Sequence, residues 1–262
     1  MVLRKVQNIK SIVYIIVNQN ISPMNYLPKS EQKSEFVQKL FNNIASKYDL
    51  MNDLITLGLH KLWKKEIAES LLMKNNISAI RILDLCCGTG DLTCILAKTY
   101  PKAEIIGLDF SHQMLEIAEN RKVQENTHNT IFTEGSALDL PFANNYFDGI
   151  TISFGLRNVS DYRKCLSEIL RVCKPESKLI ILDLSHPTGF WHYISYPYRF
   201  WLLPALGQLL TKNYKAYDYL PNSIKTYPNQ EQLNNLLQEV GWQTTNYKNI
   251  FGGIVCIHSG IK

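Results

Sequence analysis

The chain has 262 residues, 45% of them apolar, and a formal charge of +5. That suffices for one full α/β core, and the charge is spread without the clustered Lys and Arg of a nucleic-acid groove, so no nucleic-acid substrate is expected. Six cysteines (86, 87, 94, 165, 173, 256) and six scattered histidines form no CxxC pair and no metal-ligand spacing, which predicts reduced thiols inside a cell and no metal site.

The first thirty residues carry no acid, and their apolar run Ile12 to Val17 is too short to span a bilayer. They have neither the cleavage site of a secretory signal nor the Arg and Ser of an organelle-targeting segment. Residues 1–35 are therefore read as a flexible extension, or as sequence ahead of a start at Met24. From Phe36 to Tyr48 apolar residues fall at helical spacing, YDLMNDLITLGLH interrupts, and His60 to Met73 resumes the helix. Residues 36–75 thus form a helical cap expected to fold over a cofactor cleft.

Alternation follows. Strands are predicted at Arg81 to Leu85, Glu104 to Asp109, Ile131 to Glu134, Phe147 to Ser153 and Leu179 to Asp183, with helices from Gly90 to Thr99, from an N-cap at Ser111 to Glu125, and from Asp161 to Val172 before a Lys174-Pro175 stop. An aromatic insertion fills 187–228. A closing helix, Asn229 to Val240, and strands at Gln243 to Asn249 and Gly252 to Ser259 complete a Rossmann-like α/β fold with a seven-stranded, mostly parallel sheet.

The first strand breaks into Gly88-Thr89-Gly90, where missing Cβ atoms let a ligand approach. The second strand ends in Asp109, an acid suited to a ribose with two free hydroxyls. A dinucleotide fingerprint wants a third glycine where this chain has Thr93, which weakens the pyrophosphate reading. S-adenosylmethionine has no phosphate, and Asp84 or Asp91 could receive its ammonium. The methyl donor is preferred.

The segments FNNIASKYDLMNDLITLGLHKLWKK (41–65), LDLCCGTGDL (83–92), ALDLPFANNYFDGITISFGLRNVSDY (137–162), EILRVCKP (168–175) and AYDYLPNSIKTYPNQEQL (216–233) resemble the ubiquinone and menaquinone biosynthesis C-methyltransferases, the UbiE/MenG type of class I S-adenosylmethionine-dependent methyltransferase. The resemblance runs from about Phe36 to the C-terminus. It departs at Cys86-Cys87, where smaller residues are usual, and at Glu176, where a glycine usually follows the proline.

The resemblance implies a cofactor held by Thr89, Asp109, Ser136 with Ala137, and Ser153, beside Asp84, Gly88 and Gly90 of the glycine loop. It implies methylation of a ring carbon in a prenylated benzoquinol or naphthoquinol, with demethylmenaquinol, a phytyl naphthoquinol or a methoxy polyprenyl benzoquinol as acceptor. A hydroquinone carbon is a weak nucleophile until the neighbouring hydroxyl loses its proton. Arg157 is expected to stabilise that phenolate, Asn158 to fix the hydroxyl, and Tyr48 or Asp49 to close over the ring. The aromatic insertion is expected to line a channel for the tail. Peripheral membrane contact, a homodimer and a cytoplasmic or organellar location are expected. Methylation of another lipid and a non-catalytic scaffold of a quinone-biosynthesis complex are the alternatives.

Overall fold

The computed structural model of the protein describes residues 30–71, 80–197, 219 and 222–262. Three helices, α1 (Ser30–Ile44), α2 (Tyr48–Thr56) and α3 (Leu59–Leu71), precede the first strand. Then come β1 (Arg81–Leu85), α4 (Asp91–Thr99), β2 (Glu104–Asp109), α5 (His112–Glu125), β3 (Thr130–Glu134) and β4 (Phe147–Ser153). The rest is α6 (Tyr162–Val172), β5 (Cys173–Leu184), α7 (Gly189–Pro197), α8 (Gln230–Val240), β6 (Gln243–Ile250) and β7 (Val255–Ile261).

The seven strands form one sheet in the order β3-β2-β1-β4-β5-β7-β6, parallel except at β7, which runs antiparallel to both neighbours. Order reverses between β1 and β4, so the helices that follow them leave on opposite faces and a crevice opens at the strands' carboxyl ends. Successive residues of a strand face opposite sides. Ile82 therefore packs with Ile67, Leu92 and Leu96 of α3 and α4, while Leu83 and Leu85 pack with Leu166, Ile169, Leu233 and Leu237 of α6 and α8. A third cluster belongs to the cap: Val37, Leu40 and Ile44 of α1 meet Met51 of α2 and Tyr219.

Four boundaries differ from the sequence reading. Helix α1 begins at Ser30, inside the stretch read as extension, because its first turns, SEQKSE, are polar and carry no periodicity. The supposed interruption YDLMNDLIT is helix α2, whose leucines face outward and so hide the inside-outside pattern; it ends where Leu57 (φ 52°) and Gly58 (φ 76°) turn left-handed. Strand β5 starts at Cys173, upstream of Pro175, because Phe147 pairs with Cys173 before the register jogs to Gly149 with Lys178. Glu176, at φ 63°, sits in that jog. Likewise the last strand starts at Val255, since Phe251–Gly253 coil into a 3-10 turn.

Of the 187–228 insertion expected to line the tail channel, residues 187–197, 219 and 222–228 belong to the described structure; 198–218, 220 and 221 lie outside the described residues, as do 1–29 and the end of the cap at 72–75. Among the described residues no helix is long and apolar enough to cross a membrane.

Candidate active site

A cavity of about 340 Å³ occupies the crevice at the carboxyl ends of β1, β2 and β4. Its floor holds Asp109, the last residue of β2. The Asp109 carboxylate accepts the backbone N–H of Gly88 at 2.8 Å and that of Ser111 at 2.9 Å, which closes the glycine turn against β2. Gly88 (φ 56°) takes the left-handed conformation this requires. Ser111 then caps α5 by accepting the Met114 N–H. Asp109 is buried, and burial pushes its carboxyl up to about 6 against the pull of those backbone donors.

Around the floor stand Ser136 and Ala137 at the exit of β3, Ser153 at the end of β4, and the apolar Leu108, Phe110, Met114 and Leu138. The Ser136 hydroxyl accepts the Leu138 N–H at 3.1 Å and so shapes its own loop. Ser153 Oγ is buried with no hydrogen-bond partner among the described residues. Asn158 also faces the cavity, its amide donating to the Phe154 carbonyl and its oxygen accepting the Tyr219 hydroxyl at 3.0 Å.

The roof comes from the cap. Ser34, Gln38 and Phe41 of α1 and Tyr48 of α2 complete the wall. Lys33 Nζ donates to the carbonyls of Arg157 (3.1 Å) and Val159 (2.7 Å), while Gln38 donates to the Phe110 carbonyl, so α1 straps the β4 exit to the β2 exit. Burial first, and then the Arg157 charge, lowers the Lys33 ammonium to about 8. Asp49 accepts the Thr89 hydroxyl at 2.6 Å and pairs with Arg121. Lys64, buried on α3, holds both oxygens of Asp91 at 2.7 and 2.6 Å.

The structure thus divides the predicted site residues. Gly88, Asp109, Ser136, Ala137, Ser153, Asn158 and Tyr48 converge on one cavity. Asp84, Thr89, Gly90 and Arg157 stand behind its wall. Asp84 cannot meet an ammonium from there: its oxygens accept the hydroxyls of Thr93 (2.7 Å) and Thr151 (3.0 Å), and burial pushes its carboxyl up to about 7. The other candidate for that ammonium, Asp91, is taken by Lys64. Thr89 is spent on Asp49. Arg157 faces Asp183, with Nη1 to Oδ1 at 2.7 Å and a further bond to the Phe154 carbonyl, so it does not present its guanidinium to the cavity.

Gly90 (φ 76°) serves packing rather than ligand approach, for a Cβ there would fall 2.8 Å from the Phe132 ring and 2.9 Å from Ala118 Cβ. Gly90→Ala should therefore cost about 1–3 kcal/mol of stability. Thermal unfolding checks this, and an unchanged midpoint would show that the loop can shift. Sequence reasoning missed Gln38, Phe110 and Met114. Phe110, an aromatic directly after the acid that ends β2, was the one signal available.

These features fit S-adenosylmethionine. The Asp109 carboxylate is held by backbone donors alone and, among the described residues, forms no ion pair, which suits ribose hydroxyls. Phe110, Met114 and Leu138 suit a flat base, and the orphaned Ser153 Oγ wants a partner. Among the described residues neither lysine nor arginine faces the cavity, so nothing there favours a pyrophosphate. The sequence profile described as the ubiE/COQ5 methyltransferase family matches residues 29–262. The chain is 41% identical over 244 residues to the ubiquinone/menaquinone biosynthesis C-methyltransferase UbiE of Rickettsia bellii, covering 89% of this chain and 95% of that one. It is 37% identical over 236 residues to the demethylmenaquinone methyltransferase of Oceanobacillus iheyensis, covering 89% and 98%. A crystal structure of a SAM-dependent methyltransferase from Aquifex aeolicus shares the fold at a TM-score of 0.58 and 15% identity, covering 81% of this chain and 97% of that one. With cofactor-shaped cavity, sheet order and sequence in agreement, the chain belongs to the ubiE/COQ5 methyltransferase family.

Proposed function

We propose that this S-adenosylmethionine-dependent methyltransferase methylates a ring carbon of a prenylated quinol, benzoquinol or naphthoquinol, in quinone biosynthesis. The observation that carries the reading is the cavity at the switch point, with the ribose acid Asp109 at one end and Asn158 at the other. The names of the relatives supply the substrate class.

When bound, the cofactor supplies an electrophilic methyl group on a sulfonium. Asp109 would hold the ribose, Ser136 and Ala137 would border the base, and Ser153 would hydrogen-bond toward the methionine part. Asn158, fixed from both sides by Phe154 and Tyr219, is placed to orient the acceptor hydroxyl. Burial pushes the Tyr48 phenol up, so at neutral pH it keeps its proton. Its role is to roof the glycine turn, where Tyr48 Cε1 would stand 3.8 Å from a Cβ on Gly88. Arg157 and Asp183 form a buried neutral pair, and Arg157 acts as a positioning residue for the turn that carries Asn158. A cytoplasmic or organellar location, a bilayer partner that stores the tailed quinol, and a homodimer, which ultracentrifugation checks, complete the proposal.

Purified protein given S-adenosylmethionine and a panel of quinols and sterols tests it by mass spectrometry of products. Methylated sterol with unmodified quinol would move the activity to another lipid. Within the quinols, efficiency should rise with tail length, since each added buried carbon contributes up to about 0.8 kcal/mol. A flat profile would mean that the protein gives the tail no apolar path.

A further inference from the structure

Large apolar side chains stand in solvent along one side of the cap. Leu50, Leu54 and Leu57 recur at spacings that share one helix face, and that face of α2 is the outer one, since Met51 is buried. Leu57 is 83% exposed, and Leu62, early in α3, 63%. Helix α7 adds Phe190 at 71% and Tyr193 at 76%. An aromatic seam joins the two groups. Trp191 packs on Phe251 with ring centroids 5.7 Å apart, and Phe251 packs on Trp63, the neighbour of Leu62, at 6.2 Å. The 251–253 turn is shaped to this seam, for a Cβ on Gly252 would fall 2.1 Å from the Trp191 ring.

Apolar residues exposed singly need no explanation, but a joined set does. Its rim is charged and balanced: Lys61 pairs with Asp53, Lys65 with Glu69, and Lys248 with Glu66. A rim of paired opposite charges complements zwitterionic headgroups better than a strongly anionic partner. Aromatic side chains at an apolar-polar boundary suit the bilayer interface. The face also adjoins the cavity. Tyr48, at the start of α2, lines the cavity, whereas Leu57 follows the end of the same nine-residue helix, about 13 Å away at 1.5 Å per residue.

We propose that this face, formed by α2, the start of α3, α7 and the 251–253 turn, rests on a lipid bilayer. Leu57, Leu62, Phe190 and Tyr193 enter the boundary between headgroups and acyl chains, and the rim ion pairs meet zwitterionic headgroups. Resting on the prenylated-quinol reading, the surface places the cavity roof beside the phase that holds the acceptor's tail. Among the described residues no helix is long and apolar enough to cross the bilayer, and contact in this arrangement is interfacial.

Flotation of the full chain with vesicles of phosphatidylcholine and phosphatidylethanolamine tests the surface. The wild type should float, and roughly fivefold less protein should float for Leu57→Ser with Leu62→Ser, and for Phe190→Ser with Tyr193→Ser. Raising salt should change the bound fraction less than about twofold, because the attraction is not a net-charge one. None of the four side chains lines the cavity, so the thermal shift on adding S-adenosylmethionine should match the wild type in both variants and certify their folding. A wild type that stays at the bottom of the gradient, or folded variants that float equally well, would overturn the proposal. So would variants that lose a dimer in ultracentrifugation while floating normally, for the face would then be a subunit interface. Flotation needs no acceptor. Protein that floats through this face yet methylates no quinol would sink the substrate reading and leave the docking surface standing.

Discussion

Replacing Arg157 with methionine should lower the unfolding free energy by about 3–5 kcal/mol, because it leaves the Asp183 carboxylate buried without its cation. Asp183 is 2% exposed and accepts the Arg157 backbone N–H at 3.1 Å, the Leu184 N–H at 2.8 Å and the guanidinium at 2.7 Å. Methionine fills comparable space, so the loss is electrostatic rather than a cavity. Adding Asp183→Asn should restore more than half of it, since the amide oxygen still serves a backbone donor and no charge is left buried. Arg157→Lys should fall between, keeping the charge without the planar fork. Turnover should fall with stability, as the turn carrying Asn158 loosens, while S-adenosylmethionine affinity changes little. Urea unfolding of the single and double variants decides between two roles. An Arg157→Met protein as stable as the wild type, yet about a hundredfold slower, would return the guanidinium to the acceptor, the role expected of it from the chemistry of the phenolate.

The Arg157–Asp183 pair shows where sequence reading stops. The strands were legible because burial on both faces makes a parallel strand a continuous apolar run, and β1, β2 and β4 were placed to the residue. The placement of Asp109 at the end of β2, on the cavity, was legible because the apolar run of that strand ends in it. Arg157 was not, because its partner Asp183 lies twenty-six residues on, across the β4–β5 pairing, and nothing local distinguishes a paired guanidinium from a free one. The same holds for Thr89 and Asp91, whose partners Asp49 and Lys64 come from the cap. Helix α2 escaped notice because its leucines face solvent. The feature that hid the helix is the one that marks its outer face as an interaction surface.

The cap's ties have a further consequence for the cofactor. Asp49 and Lys64 bracket the glycine turn from outside, one through Thr89 and Arg121, the other through Asp91. Loop and roof are therefore built together, and Asp109 sits inside a frame it helps to hold. Removing that acid should disturb both.

Asp109→Ala should weaken S-adenosylmethionine by tenfold or more, since two charge-assisted hydrogen bonds, together about 1.5–3 kcal/mol or more, would be lost. The loop's Gly88 and Ser111 N–H groups lose their acceptor as well. The loss should therefore exceed that of Ser153→Ala, which removes a hydroxyl with no partner among the described residues. The pH dependence separates ribose binding from loop damage. Burial raises the Asp109 carboxyl to about 6, so the protein without cofactor takes up a proton there as pH falls through that value. Ribose hydroxyls donate best to the ionised form, so binding must expel the proton, and wild-type affinity should drop below pH 6 while staying level above it. Asp109→Ala should lose that step. Calorimetry across pH 5 to 8 reads both. An unchanged dissociation constant in folded Asp109→Ala protein, or a wild-type affinity flat through pH 6, would remove Asp109 from the ribose.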